Sequence, residues 1–179
     1  MEFAREGLER ADEISVLFQG VFSESEGAEE GHLIGDLADR LVRETPEMDR
    51  MVFSARENGL LLAVAIFSRL WFAQDERVLF VLGPVAVRTE RQRQGIGGRL
   101  LRYALTELRA EGVDGVLTYG DPAYYARVGF RPVDEALAPA PYCLQYPSGW
   151  LGQSLTGVQL TPLRGPSRCV AALDNPAFW

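Results

Sequence analysis

A glycine-rich turn near the middle of the chain joins an apolar strand pattern to an amphipathic helix pattern. The turn reads QRQGIG at residues 92–97, comes after the apolar run Val78–Val87 and is followed by Gly98. Glycine lets the backbone turn tightly and approach a ligand closely, and a helix start presents unpaired N–H groups to an anion. The segment therefore predicts a strand, a tight loop and a helix whose backbone can cradle a phosphate-bearing ligand.

Two common nucleotide-binding motifs do not match this turn. A GxGxxG pattern that starts at Gly95 requires glycine at position 100, which is Leu100, and a GxxxxGK[ST] loop requires a lysine and a hydroxyl residue that are absent here. A turn with solvated arginines and no ligand stays the simpler alternative. The arginines around the turn would favour a polyphosphate over a neutral ligand: Arg88, Arg91, Arg93 and Arg99.

The composition of the chain limits the classes of protein that can carry such a turn. Its 179 residues fit one domain, and 47% apolar with 24% charged residues is typical of a globular protein. The net charge of −7 argues against a general nucleic-acid binder. Cys143 and Cys169 lie outside any metal-ligand spacing, and no signal peptide or membrane-spanning run is evident. We expect reduced thiols, no metal and a cytoplasmic location.

Two amphipathic helices are predicted near the start of the chain. Apolar residues recur at helical spacing over Ala11–Phe22 and over His32–Arg43, after a short strand in MEFAREG. The acidic residues between these helices, from Glu24 to Glu30, predict a flexible solvated loop that could attract a cationic amine.

Three strands and a third helix are predicted next. Asn58-Gly59 suits a type I′ hairpin between two apolar strands, because both turn residues adopt positive φ readily. The strand Val78–Val87 follows a polar turn at Gln74–Arg77, so the three strands form an antiparallel meander. Beyond the glycine-rich turn, one helical face of leucines and alanines runs to Gly112, which is placed to end the helix.

The C-terminal part of the chain has weaker patterns. VDGVLTYG predicts a strand, AYYARVGF a short helical turn and FRPV a further short strand. Prolines recur from Pro132 onward and interrupt any long element, and CLQY and GVQL are candidate short strands. We expect this tail to wrap the same domain rather than to form a second one.

Two stretches resemble motifs A and B of the GNAT superfamily of N-acetyltransferases. In LGPVAVRTERQRQGIGGRLL a strand is followed by connecting residues, a [RQ]xxGx[GA] pattern and a helix, as in motif A. In DPAYYARVGFRPV a tyrosine lies five residues before the phenylalanine of a Gly-Phe pair, as in motif B. Counting back from Phe130 places Tyr125 on that position. The resemblance covers residues 50–133 in detail and looks most like a branch of small bacterial acetyltransferases.

The resemblance implies the GNAT fold, an α/β (α+β) architecture with a mixed, mostly antiparallel central sheet, a splayed fourth strand and flanking helices. We expect a single GNAT domain over 1–179. Its parts would be a strand and two helices over 1–50, a coenzyme-binding core over 51–133, and C-terminal strands and tail over 134–179. Pro84 lacks an N–H and cannot complete a sheet ladder, so Gly83-Pro84 is a candidate splay point.

The same resemblance implies acetyl-CoA as the bound co-substrate. Tyr125 matches the position of the general acid, and with an ordinary pKa near ~10 a tyrosine is protonated at neutral pH. Tyr124 is the alternative acid, and packing of Tyr125 on the coenzyme is the noncatalytic alternative. The backbones of Val85, Ala86 and Val87 would bind the pantetheine arm. The pyrophosphate would lie against the turn and its neighbour: Gln92, Arg93, Gln94, Gly95, Ile96, Gly97 and Gly98.

The general base is not evident from the sequence. Many relatives use a glutamate on the bulged strand or a water chain, and Val78–Val87 contains no acidic residue. Asp121 is a candidate that acts through water, although an Asp-Pro pair more simply caps the turn that follows it. His32 lacks partners for a triad or a metal site and is expected on a helix surface. Three tryptophans are candidates for an acceptor pocket, with packing the commoner role: Trp71, Trp150 and Trp179.

The leading hypothesis is an acetyl-CoA-dependent N-acetyltransferase that acetylates a primary amine of a small molecule or peptide by direct attack in a ternary complex. The alternative is a noncatalytic acyl-CoA-binding module of the same fold. Transfer of a longer acyl group and a nucleic-acid binder that uses the arginines are further alternatives. No membrane partner is expected, a homodimer remains open, and the sequence does not name the acceptor.

Overall fold

The computed structural model describes residues 1–179 and alternates strands with helices. The first half contains β1 (Glu2–Glu6), α1 (Ala11–Glu26), α2 (Ala28–Arg43), β2 (Arg50–Glu57), β3 (Leu60–Phe72) and β4 (Asp75–Val87). The second half contains α3 (Ile96–Ala110), β5 (Gly115–Tyr119), α4 (Pro122–Tyr125), β6 (Arg131–Pro132), β7 (Trp150–Ser154) and β8 (Ser167–Arg168). None of the helices combines the length and the apolar character that crossing a lipid bilayer requires.

The strands form a sheet in the order β1-β2-β3-β4-β5-β7-β6, with β8 added to β3. β4 pairs with β5 in parallel. The pairs β1–β2, β3–β8, β5–β7 and β6–β7 are antiparallel. The expected mixed, mostly antiparallel sheet is therefore confirmed.

The chain divides into two compact units. The first contains Met1–Phe67 and Pro84–Ala104, and the second contains Ser68–Gly83 and Leu105–Trp179. The strands β3 and β4 and the helix α3 each contribute residues to both units. The single domain expected from the sequence stays a prediction, which a single cooperative unfolding transition would support.

Helices α1 and α2 of the first unit contact each other at backbone distance. A Cβ atom at Gly31 would lie 2.6 Å from the carbonyl oxygen of Gln19, so only glycine fits there. The hydroxyl of Ser15 donates a hydrogen bond of 2.9 Å to the carbonyl oxygen of Gly35. The apolar faces of both helices are buried, as amphipathic spacing predicts: Ile14, Leu17, Phe18, Ile34, Leu37, Ala38, Leu41 and Val42.

The predicted flexible acidic loop between these helices is wrong. Helix α1 continues through Glu24 to Glu26, and α2 already begins at Ala28. Only Gly27 interrupts them, with φ of +102°, where its N–H bonds to Ser23 and its carbonyl oxygen accepts from Gly31. Acidic side chains are compatible with helix, so the run of charge did not mark a loop. The break comes from a single glycine that adopts positive φ.

A charged network in the first unit joins β1, α1 and β2. The Arg56 guanidinium donates to Glu6 at 3.0 Å and to Glu13 at 2.7 and 3.0 Å, and the Ser54 hydroxyl also donates to Glu6. The side chains of Arg56 and Glu6 are only 13% and 8% exposed. The hydrogen bonds with Arg56 lower the pKa of Glu13, so the carboxylate form is favoured. Removing Arg56 would leave the buried carboxylate of Glu6 with only the more exposed Arg10 guanidinium, 4.0 Å away.

We expect Arg56→Met to lower the free energy of unfolding by about 3 kcal/mol, because breaking one side of a buried ion pair strands the other charge. Arg43→Met is the matched control. Arg43 also contacts two carboxylates, Asp12 and Asp39, but its side chain is 40% exposed, so its loss should cost much less than the loss of Arg56. Denaturant unfolding of both variants measures the difference, and equal losses would contradict the buried network.

A second charged cluster fixes the C-terminal tail within the second unit. The β3–β4 turn lies at Ala73–Gln74, rather than at the predicted Gln74–Arg77, because β4 already begins at Asp75. Asp75 accepts from the Arg77 guanidinium at 2.6 and 2.8 Å and from the backbone N–H of Arg164 at 3.1 Å. Arg77 also donates to the carbonyl oxygens of Thr161 and Pro162 at 3.2 and 2.8 Å. One ion pair thus connects the hairpin to residues 161–164.

The Arg77 guanidinium beside Asp75 holds the pKa of that carboxyl well below its ordinary value of 3.8. A carboxyl whose pKa is lowered by folding stabilises the fold above its unfolded pKa, and this contribution is lost as the pH falls below that value. We therefore expect Asp75→Asn to destabilise the protein at pH 7, with a difference from wild type that shrinks below about pH 4. Denaturant unfolding at a series of pH values tests this, and a difference that is constant with pH would contradict it.

The strands predicted after residue 133 are corrected by the structure. CLQY and GVQL are not strands, whereas Trp150–Ser154 forms β7 between β5 and β6. Trp150 is fully buried, donates from Nε1 to the carbonyl oxygen of Ala138 at 2.8 Å and packs edge-on against Trp179 at 5.9 Å. Both tryptophans therefore pack within the C-terminal tail and hold it in place, which is the commoner of the two roles considered for them. Trp71 is half-buried under the Arg168 guanidinium, 4.3 Å from the ring centre.

Candidate active site

The pairing of β4 with β5 stops just before Gly83-Pro84. The register runs from Leu79 opposite Gly115 to Leu82 opposite Thr118. The next β5 residue, Tyr119, has no partner in β4 and pairs only with Trp150 of β7, on the other side of β5. β4 itself continues to Val87. Because proline has no N–H to add to a ladder, the predicted splay point coincides with the end of the pairing.

The last residues of β4 belong to the first unit and direct backbone groups away from β3. The N–H of Arg88 bonds to the carbonyl oxygen of Leu62 in β3 at 2.8 Å. Because successive residues of an antiparallel strand point their N–H and C=O groups to opposite sides, those of Val85 and Val87 point away from β3. The carbonyl oxygen of Val87 accepts from Gln92 Nε2 at 3.1 Å. The groups left for a ligand are both backbone groups of Val85 and the N–H of Val87.

The turn after β4 is held by its own hydrogen bonds. The N–H of Arg91 bonds to Arg88 at 2.9 Å and that of Gln92 bonds to Thr89 at 3.2 Å. Arg93 and Gly95 both adopt positive φ, of +60° and +75°. This conformation is unfavourable for arginine and easy for glycine, so the turn has one strained residue of the kind found in ligand-binding loops.

Helix α3 begins at Ile96, so Gly97 and Gly98 lie in its first turn and not in the loop. The first intrahelical bond runs from the N–H of Arg99 to the carbonyl oxygen of Gly95 at 3.1 Å. The N–H groups of residues 96, 97 and 98 therefore have no partner within the helix. Gly95 itself is exposed, with no atom within 4 Å of the place that its Cβ would occupy, whereas Ile96 and Gly97 are buried and Gly98 is half-buried.

Only two of the four arginines near the turn are available to a ligand. Arg88 donates to the carbonyl oxygen of Leu61 at 2.6 Å, and Arg91 donates to Glu57 at 2.8 Å. Arg93 and Arg99 are exposed and make no side-chain hydrogen bond or ion pair. The local positive field around the cradle is therefore weaker than the count of arginines predicts.

Tyr125 lies in the second unit, at the end of the short helix α4. Asp121 caps that helix by accepting from the N–H of Ala123 at 2.9 Å, as the Asp-Pro pair predicts. Tyr125 is 9% exposed and packs edge-on against Tyr124 and Phe130, with ring centres 5.0 and 5.7 Å away. Its orientation is thus fixed from two sides.

Burial raises the pKa of Tyr125 to about 12, and the nearby hydroxyl of Thr118 donates instead to the carbonyl oxygen of Leu82 at 2.9 Å. Burial also raises the pKa of Tyr124, which is half-buried. Both hydroxyls are therefore protonated throughout the neutral range. Sequence reasoning missed Thr118, although a hydroxyl inside the otherwise apolar strand VLTYG was a signal that a buried polar contact existed.

β4 carries no acidic residue near the end of its pairing with β5. The acidic residues of β4 are Asp75 and Glu76 at its start, and Asp75 is roughly 26 Å along the strand from Gly83. His32 lies on the surface of α2, where its Nδ1 contacts Gln19 Nε2 at 2.9 Å. No group of three histidine, cysteine or acidic side chains is arranged to hold a metal ion.

Comparisons with known proteins identify the family. The model of the acetyltransferase (GNAT) domain matches residues 49–132. The uncharacterized N-acetyltransferase YjhQ of Escherichia coli strain K12 is 34% identical over 139 residues, which are 75% of this chain and 76% of YjhQ. The chain therefore belongs to the GNAT family of acetyltransferases.

Solved structures agree with the fold. A GNAT family acetyltransferase from Brucella melitensis, in complex with acetyl-CoA, superposes with a TM-score of 0.75 at 26% identity and covers 97% of both chains. YhbS, a GNAT family N-acetyltransferase from Escherichia coli in complex with CoA, superposes with a TM-score of 0.76 at 23% identity, covering 97% of this chain and 92% of YhbS.

We expect Gly95→Ala to lower the free energy of unfolding by about 1 kcal/mol, because alanine is strained at positive φ although space for its methyl group is open. Gly20→Ala is the matched control. Gly20 also has open space but lies within α1, where alanine should stabilise the helix by up to about 1 kcal/mol. If the turn holds this conformation in solution, denaturant unfolding should show a lower free energy of unfolding for Gly95→Ala and a higher one for Gly20→Ala.

Proposed function

We propose that this protein transfers an acetyl group from acetyl-CoA to a primary amine of a small molecule or peptide, by direct attack in a ternary complex. The observation that carries the proposal is the start of α3, where three N–H groups without a partner in the helix come soon after the end of β4. The acetyl-CoA and CoA held by the structural relatives support the choice of ligand.

The cradle suits the pyrophosphate of the coenzyme. Helix-start N–H groups carry partial positive charge and bind phosphate without a particular side chain. The binding residues proposed from the sequence are kept, with two refinements. Gln92 acts by holding the turn against Val87, and Gly97 and Gly98 act through the first turn of α3. The free backbone groups of Val85 and the N–H of Val87 would pair with the amides of the pantetheine arm.

The reaction joins the amine nitrogen to the thioester carbonyl carbon. As the C–N bond forms, the C–S bond breaks, and its electron pair stays on the sulfur. The amine loses a proton to solvent or to a base other than the residues named above. The products are an amide and the free thiol of CoA. An N–H near the carbonyl oxygen would stabilise the developing oxyanion, an effect worth a few kcal/mol in acyl transfer.

Tyr125 is the residue that we propose to act on the departing sulfur. With a pKa raised to about 12, its hydroxyl holds a proton more tightly than a thiol, whose ordinary pKa is near ~8.5. The hydroxyl therefore stabilises the thiolate by donating a hydrogen bond and keeps its own proton, and the thiolate of CoA is protonated by solvent. Tyr124, whose hydroxyl is less buried, is the alternative donor.

The length of the acyl group that the protein transfers is tested separately from catalysis. Competition of acetyl-CoA against longer acyl-CoAs gives the preferred donor. The nucleic-acid alternative loses support because Arg88 and Arg91 are engaged within the protein. The cytoplasmic location and the oligomeric state stay predictions.

We expect the purified protein to release CoA from acetyl-CoA when a suitable amine is present, and Tyr125→Phe to lower kcat about 100-fold with little change in KM for acetyl-CoA. Chromatography is the measurement of choice for CoA, because the exposed thiol of Cys143 would react with thiol reagents. Tyr124→Phe is the matched control and should retain most activity. Tight binding of acetyl-CoA without CoA release from any amine, amino acid or peptide would instead support the noncatalytic module.

A further inference from the structure

A cavity of about 470 Å³ lies at the edge of the sheet, within the second unit. Its wall is formed by the chain around β6, by the end of β7 and by Gln159 and Leu160. Its volume falls in the range of small-molecule sites, which is about 300–1,000 Å³. We call it the edge cavity. The strands β5 and β7 separate β6 from β4, so this cavity is distinct from the backbone groups proposed to bind the coenzyme.

The end of β7 brings unpaired backbone groups to the edge cavity. β6 is two residues long and reaches only as far as Gly152, so no strand lies opposite Ser154 on that side. On the other side, the N–H of Leu155 bonds to the carbonyl oxygen of Asp114 at 2.9 Å. Because neighbouring residues of a strand point their backbone groups to opposite sides, those of Ser154 point away from β5. They are therefore placed to pair with an amide of a ligand.

The side chain of Gln153, which also lines the edge cavity, has an unsatisfied oxygen. Its Oε1 is buried and has no hydrogen-bond partner. The amide lies against Gly129, where a Cβ would come within 2.3 Å of Nε2, so glycine is needed there to leave room for it. A buried acceptor without a donor is unfavourable in the folded chain, and an ammonium or N–H group of a ligand would satisfy it.

Two opposite charges border the same cavity without forming an ion pair with each other. These are the guanidinium of Arg131 in β6 and the carboxylate of Asp134. The Asp134 carboxylate accepts from the N–H of Leu137 at 2.9 Å, which fixes its position beside the cavity. Leu137 and Leu160 add apolar surface to the wall. Separate opposite charges around an apolar surface suit a ligand that carries both an ammonium and a carboxylate.

We propose that the edge cavity binds a zwitterionic dipeptide with apolar side chains. Arg131 binds its carboxylate, and Asp134 and the Oε1 of Gln153 bind its ammonium. The backbone of Ser154 pairs with its central amide. Binding makes and breaks no covalent bond, and the inference does not depend on the proposed acetyl transfer.

The test is calorimetric titration of the full chain with leucyl-leucine, without acetyl-CoA. We expect Arg131→Gln and Asp134→Asn each to weaken binding about tenfold, because each removes a charged partner of the ligand. Asparagine at 134 keeps an oxygen for the N–H of Leu137, so the local turn should persist. Arg127→Gln and Glu135→Gln are the matched controls, since both residues are exposed and lie outside the cavity wall, and they should bind as wild type does.

The variant Gln153→Met separates binding from folding. Methionine has a similar size but no unsatisfied amide oxygen. We therefore expect it to weaken binding of leucyl-leucine and to raise the midpoint of thermal unfolding of the free protein. An unchanged affinity in this variant would contradict the role of Oε1.

Four further results would overturn the proposal. The first is no binding of leucyl-leucine by the wild-type protein. The second is equal affinity for N-acetyl-leucyl-leucine amide, which lacks both charges, or for leucine, which lacks the central amide. The third is an equal loss in the control variants. The fourth is binding that requires acetyl-CoA, which would place the dipeptide in the proposed catalytic site instead.

Discussion

The pairing between β4 and β5 ends at Leu82 and Thr118, and the features proposed for catalysis depend on where it ends. Two residues after Leu82, Pro84 offers no N–H, so β4 cannot extend its ladder toward β5. The backbone groups of Val85 therefore stay unpaired on that side. Thr118, at the last paired position, is fully buried, and its hydroxyl donates to the carbonyl oxygen of Leu82. If the ladder between β4 and β5 continued for three more residues, the backbone groups of Val85 would be paired within the sheet and could not bind a ligand.

An acidic protein with a net charge of −7 can still bind a polyanion if the binding charge is local. The first turn of α3 supplies partial charge from N–H groups that no other part of the helix uses. Arg88 and Arg91 hold the strand and the turn together, and Arg93 and Arg99 remain as a modest field. Geometry therefore contributes more to anion recognition here than the number of basic residues.

Local patterns predicted the parts of the site that depend on neighbouring residues in the sequence. The glycine turn and the helix after it follow from local spacing, and Asp121 caps α4 as the Asp-Pro pair indicates. The choice of Tyr125 came from the resemblance to motif B. β7 was missed because Gly152 and Gln153 interrupt its apolar pattern, and its pairing with β5 and β6 is set by distant residues. The contact of Thr118 with Leu82 also joins residues far apart in sequence, which no local pattern encodes.

The turn that leads into α3 is held in one conformation by hydrogen bonds within the protein. Gln92 bonds to Val87 and Thr89, and Arg91 reaches Glu57 in β2. A loop already ordered in this way loses little conformational entropy when a ligand arrives, so more of the interaction energy remains as affinity. Substitutions that loosen Gln92 or Arg91 would therefore weaken binding through an entropic cost, without removing any contact to the ligand.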